Sequence, residues 1–173
     1  MVSKNKISPA ELSRFPIFAR LSQKQLVKIA AIIRNQTFKD GEEITCEGEH
    51  GDELFLLLSG KVGVSKSLTL KVGREGLDTR DKSLIQMRAE DAPYFGEMAL
   101  LREDSLRTAT VKAVGQCHLG MIKRDSFIKL CESDYELGYL LLMNIARTLA
   151  AHLEKTSQDV LKLTTAFSLA LQS

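Results

Sequence analysis

Residues Phe95–Val111 read FGEMALLREDSLRTATV, and this stretch of the 173-residue chain carries the strongest indication of its fold and function. Gly96 permits a close backbone approach. Residues 97–101 have good helix propensity and predict one short helical turn, whose exposed first amides favour an anion. After a polar link, Arg107 can offer a bidentate guanidinium to a phosphate. The stretch therefore predicts a small anion-binding site.

Three neighbouring residues extend the predicted site. Glu97 supplies a carboxylate that can accept a hydrogen bond from a sugar hydroxyl. Thr108 supplies a hydroxyl, and the small side chain of Ala109 lets its backbone N–H approach a ligand. One arginine suits a singly charged sugar phosphate better than a triphosphate, and the chain has no G-x-x-x-x-G-K motif. An alternative from residue types alone is a simple ion pair between Glu97 and Arg107 in a hairpin connection.

The flanking sequence predicts a domain rich in short strands. Runs of β-branched and apolar residues, separated by glycine or acidic turns, are typical of a β-sandwich or barrel. The predicted strands are residues 36–38, 43–46, 53–58, 61–65, 83–88, 108–113 and 117–122. Residues 71–82 (KVGREGLDTRDK) are polar, contain two glycines and predict a long connection between two strands.

Helical signals lie at both ends of the chain. Ser8 and Ser22 each begin a capping box, and the second predicts a helix over residues 22–34. Residues 133–173 contain no proline and predict one long helix. Its apolar positions alternate by three and four residues, a heptad seam that predicts a homodimer. The seam consists of Ala146, Leu149, Leu153, Thr156, Val160, Leu163, Phe167 and Ala170.

Residues 95–109 resemble the phosphate-binding cassette of cyclic-nucleotide-binding domains, a family that includes bacterial catabolite activator proteins and cyclic-nucleotide-dependent kinases. Residues 44–60 (ITCEGEHGDELFLLLSG) resemble the family's glycine-punctuated strand, turn and strand, and residues 15–22 resemble its N-terminal helical lead-in. The family usually has a glycine in the link before the arginine, where this chain has residues 103–105 (EDS).

The resemblance implies a mainly β fold with flanking helices. Its centre is an eight-stranded double-stranded β-helix (a jelly-roll, here called the β-roll), with N-terminal helices and a long C-terminal helix. We expect a helical lead-in over residues 1–21, the nucleotide-binding β-roll with flanking helices over 22–132, and a hinge and dimerisation helix over 133–173.

The resemblance also implies ligand-binding roles. Arg107 would pair with the cyclic phosphate, Glu97 would accept from the ribose 2′-hydroxyl, and the C-terminal helix would close over the base. The implied ligand-binding residues are Phe95, Gly96, Glu97, Met98, Ala99, Arg107, Thr108, Ala109, His152 and Thr156. The expected ligand is cAMP, with cGMP as the alternative because a threonine after the arginine occurs in binders of both. No metal is implied.

The composition of the chain argues against several other classes of protein. With 24 basic against 22 acidic residues and a net charge of +2, the chain does not have the composition of a dedicated polyanion binder. It has no apolar run of about 18 residues and no apolar segment after its first residues, so we expect neither a membrane span nor a secretory signal. Cys46, Cys117 and Cys131 are widely spaced, which indicates reduced thiols in a cytoplasmic protein.

We therefore predict a cyclic-nucleotide sensor that signals to an effector protein by moving its C-terminal helix. It is not expected to be an enzyme, since its three histidines are far apart in sequence and no nucleophile motif is present. Two alternatives stay open. One is a β-roll that senses another small ligand or serves as a structural interaction module; the other is the regulatory part of a transcription factor without its helix-turn-helix. We expect no DNA binding by this chain alone.

Overall fold

A computed structural model of the chain describes residues 7–71 and 77–171, with backbone alone over 67–71 and 77–84. Its helices are α1 (Pro9–Leu12), α2 (Gln23–Ile32), α3 (Met98–Leu101), α4 (Arg124–Ser133) and α5 (Tyr135–Leu171), with 3₁₀ turns at Pro16–Phe18 and Ala89–Asp91. Its strands are β1 (Arg34–Phe38), β2 (Glu43–Thr45), β3 (Glu53–Lys71), β4 (Leu77–Arg88), β5 (Tyr94–Phe95) and β6 (Thr110–Lys123).

The two predicted capping boxes are both present. The Glu11 amide donates to Ser8 Oγ while the Ser8 amide donates to the Glu11 carboxylate, and Ser22 and Gln25 repeat the arrangement at the start of α2. The predicted second helix is therefore confirmed, although α2 ends at Ile32. Ile33 is already extended because the chain enters β1 there.

The strands form one antiparallel sheet in the order β1-β6-β3-β4, with β2 also paired to β6 and β5 to β3. The described residues contain six strands, and the expected eight are not found. Predicted strands that were separate in sequence are continuous within β3 and within β6. Gly60, at φ +86°, permits this, because the β3–β6 register shifts around it and a Cβ there would lie 2.6 Å from the Gln116 carbonyl oxygen.

The prediction of a long connection over residues 71–82 is also wrong. Strands β3 and β4 pair as far as Lys71 opposite Leu77, so the hairpin ladder runs through most of this segment. The remaining residues of that predicted connection, 72–76, lie outside the described residues.

The buried side chains form two clusters. One lies inside the β-roll, where the Phe55 and Phe95 rings stack with centroids 5.2 Å apart. The other lies beneath the helices and includes Phe15, Leu100 and Leu141. These two cores fix the sheet against α3 and the first part of α5, and they set the position of the predicted cassette.

The predicted long C-terminal helix is present as α5, which spans 37 residues. Asp134 precedes it and its carboxylate accepts from the Leu137 amide at 3.1 Å. Buried Asn144 donates from Nδ2 to the carbonyls of Ile17 and Ala19 at 3.0 and 2.9 Å, which fastens α5 to the N-terminal segment. From residue 150 to 171 the helix is exposed throughout. Within the described part of the chain, none of the helices is long and apolar enough to span a membrane.

Candidate functional site

The predicted cassette surrounds a cavity of about 230 Å³ between α3, the link before β6, and α5. Of the predicted ligand-binding residues, all but Thr156 line it. These are Phe95, Gly96, Glu97, Met98, Ala99, Arg107, Thr108, Ala109 and His152. The structure thus brings together two parts of the chain that are far apart in sequence, the cassette and His152 of the C-terminal helix.

A larger cavity of about 400 Å³ lies on the other side of the Gly51 turn and is lined by neither Glu97 nor Arg107. It is more open, and its Arg124 is already paired with Glu103 at 2.9 Å. The smaller cavity is the better candidate site because it combines a buried guanidinium with a carboxylate and backbone amides that form no hydrogen bond within the described residues.

Arg107 is held in place by contacts with Glu53 and Phe55. Its Nη1 donates to the Glu53 carbonyl oxygen at 2.8 Å and its Nη2 to the Glu53 carboxylate at 3.1 Å. The guanidinium lies 5.3 Å from the centre of the Phe55 ring, and its side chain is only 9% exposed. Burial lowers the pKa of Arg107, whereas the carboxylates of Glu53 and Asp52 act to raise it. An arginine stays charged under these conditions, so the site presents a fixed cation.

Two glycines leave room for this guanidinium. A Cβ at Gly51 would collide with the Arg107 guanidinium. Gly96, at φ +83°, would place a Cβ 2.7 Å from the Glu53 carbonyl oxygen and 2.9 Å from Arg107 Nη1. Both positions therefore require glycine for a spatial reason. The link before the arginine makes its own left-handed turn at Asp104, at φ +51°, in the segment where the family usually has a glycine.

Glu97 does not pair with Arg107, whose ion pair is made with Glu53 instead. This removes the alternative in which the two cassette residues form an ion pair with each other. The half-buried Glu97 carboxylate has no hydrogen bond or ion pair within the described residues. The amides of Glu97, Met98 and Ala109 donate no backbone hydrogen bond there either. Acceptor and donor groups thus face the cavity unused.

The C-terminal helix α5 lies beside the cavity at His152. His152 lines it, and one turn earlier Thr148 Oγ1 accepts a 2.7 Å hydrogen bond from the hydroxyl of Tyr94. Burial raises the pKa of Tyr94, an effect that the hydrogen bond with Thr148 partly opposes. Thr156 is exposed and donates its hydroxyl to the His152 carbonyl oxygen at 2.8 Å, so the structure does not bring it to the cavity.

Several lining residues were not predicted from the sequence. They are Thr45, Val64, Met87, Tyr94, Ser105, Leu106 and Val111. Val64 and Val111 stand opposite each other in the β3–β6 ladder, so the inward face of the predicted strands could have identified them. Tyr94 directly precedes the quoted motif. Glu53, which holds Arg107 from 54 residues away, has no local sequence signal.

The fold and this arrangement define a β-roll domain with flanking helices and a cavity of about 230 Å³ that holds one guanidinium and one carboxylate. Residues 35–134 match the family model of the cyclic nucleotide-binding domain. The chain belongs to this family. No DNA-binding domain and no catalytic domain is evident in the part of the chain that the structure describes.

Curated relatives include kinase proteins of two kinds. The chain is 28% identical over 130 residues to the cAMP-dependent protein kinase regulatory subunit of Dictyostelium discoideum, covering 75% of this chain and 37% of that protein. It is 34% identical over 115 residues to cGMP-dependent protein kinase, isozyme 2 forms cD5/T2, of Drosophila melanogaster, covering 64% and 11%. The chain thus spans well under half the length of these relatives.

Solved structures with the same fold come from several organisms. The catabolite activator protein of Thermus thermophilus superposes with a TM-score of 0.71 at 24% identity, over 86% of this chain and 63% of that one. The regulatory domain of Toxoplasma gondii PKA with cAMP gives 0.66 at 25% identity, over 83% and 49%. A putative cyclic nucleotide-binding protein from Geobacter metallireducens gives 0.63 at 26%, over 84% and 97%.

Proposed function

We propose that this chain is a regulatory sensor domain that binds cAMP, with cGMP as the second candidate, in the cavity beside Arg107. The observation that carries the proposal is the buried Arg107 guanidinium at a cavity also lined by Glu97, whose carboxylate forms no hydrogen bond or ion pair within the described residues. A cyclic phosphate supplies one negative charge for the guanidinium, and the ribose supplies a hydroxyl donor for Glu97.

The preference for cAMP is supported by solved relatives that contain cAMP. The Toxoplasma gondii structure holds cAMP at 25% identity. The curated relatives are named for both nucleotides, and Thr108 suits both. Comparing the two affinities directly is therefore part of the test.

We infer a three-part organisation for signalling. Residues 1–21 lead into the domain, 22–132 form the nucleotide-binding β-roll with flanking helices, and 133–173 act as hinge and dimerisation helix. Ligand moves this helix between placements only by its differential affinity for them. Leu100, buried in the core beneath the helices, connects the cassette to the hinge. Two copies joined along α5 would present the signal to an effector protein in the cytoplasm.

The decisive experiment is calorimetry of Arg107→Ala with cAMP and with cGMP. Loss of a buried charge-assisted interaction costs about 3 kcal/mol, so the dissociation constant should rise about 100-fold or more. Arg102→Ala is the matched control, because Arg102 is exposed and does not line this cavity. Parent-like affinity in Arg107→Ala would refute the site. A parent that binds neither nucleotide would favour another small ligand.

A further inference from the structure

Ser105, in the link before β6, is a buried polar residue whose side chain makes no polar contact with the rest of the chain. The residue is 7% exposed, and its hydroxyl forms no hydrogen bond within the described residues. Burying a hydroxyl without a partner costs free energy, and most buried polar side chains are hydrogen-bonded. Ser105 lines the candidate cavity, so a ligand in that cavity would supply the partner.

The backbone places Ser105 on the same side of the link as Arg107. The link pairs with the turn over residues 48–51, where the Gly51 amide donates to the Ser105 carbonyl oxygen at 3.2 Å and the Arg107 amide to the Glu49 carbonyl oxygen at 2.8 Å. This pairing holds the link extended. Residues two positions apart in an extended segment direct their side chains to the same side, and both line the cavity.

The Arg107 guanidinium has further donors for an anion beside Ser105. Glu53 accepts from Nη1 and Nη2, and a guanidinium carries additional N–H groups. The guanidinium also lies against Gly51, since a Cβ there would collide with it. A phosphate has several acceptor oxygens, and its negative charge strengthens the hydrogen bonds that it accepts. The guanidinium and the hydroxyl therefore suit different oxygens of one phosphate.

Ser105 also lines the larger cavity of about 400 Å³. That cavity is less suited to an anion, because the carboxylates of Asp52 and Asp104 line it and would repel a negative charge. Its Arg124 is already paired with Glu103 at 2.9 Å. The charge distribution therefore favours the candidate cavity as the place where the Ser105 hydroxyl meets an anion.

We propose that the Ser105 hydroxyl donates to an exocyclic oxygen of the ligand's phosphate, beside the Arg107 guanidinium. This inference rests on the proposed nucleotide-binding function and adds a ligand-binding residue to it. Ser105 belongs to the link over residues 103–105, where the family usually has a glycine, and a glycine offers no hydroxyl. Because the Gly51 amide holds the Ser105 carbonyl, the hydroxyl is presented from a fixed backbone, which reduces the entropy lost on binding.

Calorimetry of Ser105→Ala with cAMP and cGMP tests the loss of this hydroxyl while Cβ is kept. The dissociation constant should rise about tenfold, the effect of one hydrogen bond to a charged group. Ser13→Ala is the matched control, because Ser13 is exposed and its hydroxyl donates to the Ala10 carbonyl oxygen. It should bind like the parent. An unchanged affinity in Ser105→Ala would overturn the proposal.

The two phosphorothioate diastereomers of cAMP separate a contact with the phosphate from a purely structural role. Each carries sulfur in place of one exocyclic oxygen, and sulfur is the weaker hydrogen-bond acceptor. Ser105→Ala should weaken binding of the diastereomer that keeps oxygen opposite Ser105 about tenfold, and it should leave the other unchanged. Equal losses for both would mean that the substitution acts through the fold. The contact would then be wrong, while the proposed function would stand.

Titration with inorganic phosphate, followed through the amide resonances of residues 96–97 and 107–109, tests the anion contact without any nucleotide. Ser105→Ala and Arg107→Ala should both bind phosphate more weakly than the parent, whereas Arg102→Ala should bind it equally well. Parent-like phosphate affinity in Ser105→Ala, or resonance shifts centred on Arg102, would refute the inference. If phosphate responds as expected but the parent binds neither nucleotide, Ser105 is an anion-binding residue and the proposed ligand is wrong. A parent that binds neither phosphate nor nucleotide would overturn both proposals.

Discussion

At the residue scale, Arg107 is fixed by the protein core and is also the proposed partner of the phosphate. A buried cation is costly unless it is paired and hydrogen-bonded, and Glu53 provides both kinds of contact through its carboxylate and its carbonyl oxygen. The protein itself therefore orients the guanidinium. An incoming phosphate meets a fixed donor set, which reduces the entropy lost on binding.

Gly51→Ala tests this fixed orientation without removing the charge. The new Cβ would occupy the place of the Arg107 guanidinium, so the arginine must leave its position against Glu53. We expect nucleotide affinity to fall about tenfold or more, because a charge-assisted contact is misdirected. Calorimetry measures the change, and circular dichroism checks that the sheet is retained.

Gly63→Ala is the control for that substitution. Its Cβ would meet only Val114 Cγ2, at 3.5 Å, an ordinary van der Waals contact. It should bind nucleotide like the parent. An undiminished affinity in Gly51→Ala would mean that the guanidinium is not required where the structure places it.

Most of the candidate site could be predicted because its residues lie close to one another in the sequence. Residues 95–99 and 107–109 lie within a single short stretch, and the structure gathers all of them around the cavity. The contacts of Glu53 and Gly51 with Arg107 depend on the β-roll bringing distant turns together, and no local pattern encodes them. The resemblance assigns Thr156 to the site as one of two polar candidates, with His152, on the part of the C-terminal helix that would close over the base. The helix, however, has left the roll by that point.

At the element scale, glycine and polar residues led to wrong predictions of where the strands end. Gly60 predicts a break between strands, yet it lies within β3. The strand continues through this glycine because its register with β6 shifts there. The polar residues of 71–82 predict a loop, yet β3 and β4 pair as far as Lys71 opposite Leu77. The hydrogen bonds of a strand pair are made by the backbone and do not require apolar side chains. Helices were easier to predict, since their capping boxes are complete within four residues.

Asp134 connects three helices at the hinge and makes their stability pH-dependent. It follows α4, caps α5 through the Leu137 amide, and pairs with Lys28 of α2. The hydrogen bond from Lys28, and then that from the Leu137 amide, lower the pKa of Asp134. A carboxylate whose pKa is lower in the folded state stabilises the fold above its unfolded pKa. That stabilisation is lost as the pH falls through the folded pKa.

We therefore expect Asp134→Ala to be less stable than the parent at pH 7 and to lose less stability on acidification from about pH 5 to about pH 3. Urea unfolding at a series of pH values measures both effects. Asp159→Ala is the control, since its ion pair with Lys162 lies on the exposed part of α5. Parallel pH profiles for Asp134→Ala and the parent would contradict this account of the hinge.

At the scale of the whole molecule, α5 extends far beyond the domain that positions it. Its 37 residues measure about 55 Å at 1.5 Å per residue. The predicted seam is exposed in the single chain, with Leu153, Leu163 and Phe167 at 69%, 71% and 66% exposure. Tyr135, Tyr139 and Leu142 are also exposed and continue the same four–three spacing toward the start of the helix. Most helical stability in proteins comes from packing of an apolar face and not from helix propensity, which favours a partner along the seam.

The seam and His152, which lines the cavity, lie on one continuous helix, so a dimer would connect two cavities through α5. We expect the parent to sediment as a dimer and Leu163→Glu to sediment as a monomer at the same concentration, because a dimer would bury two unpaired carboxylates at its centre. Lys155→Glu changes charge on the same helix at a position outside the seam, and it should remain dimeric. If Leu163→Glu remains a dimer, or if the parent is a monomer, ligand sensing does not depend on self-association along this seam. An effector would then have to recognise the direction of α5 in a single chain.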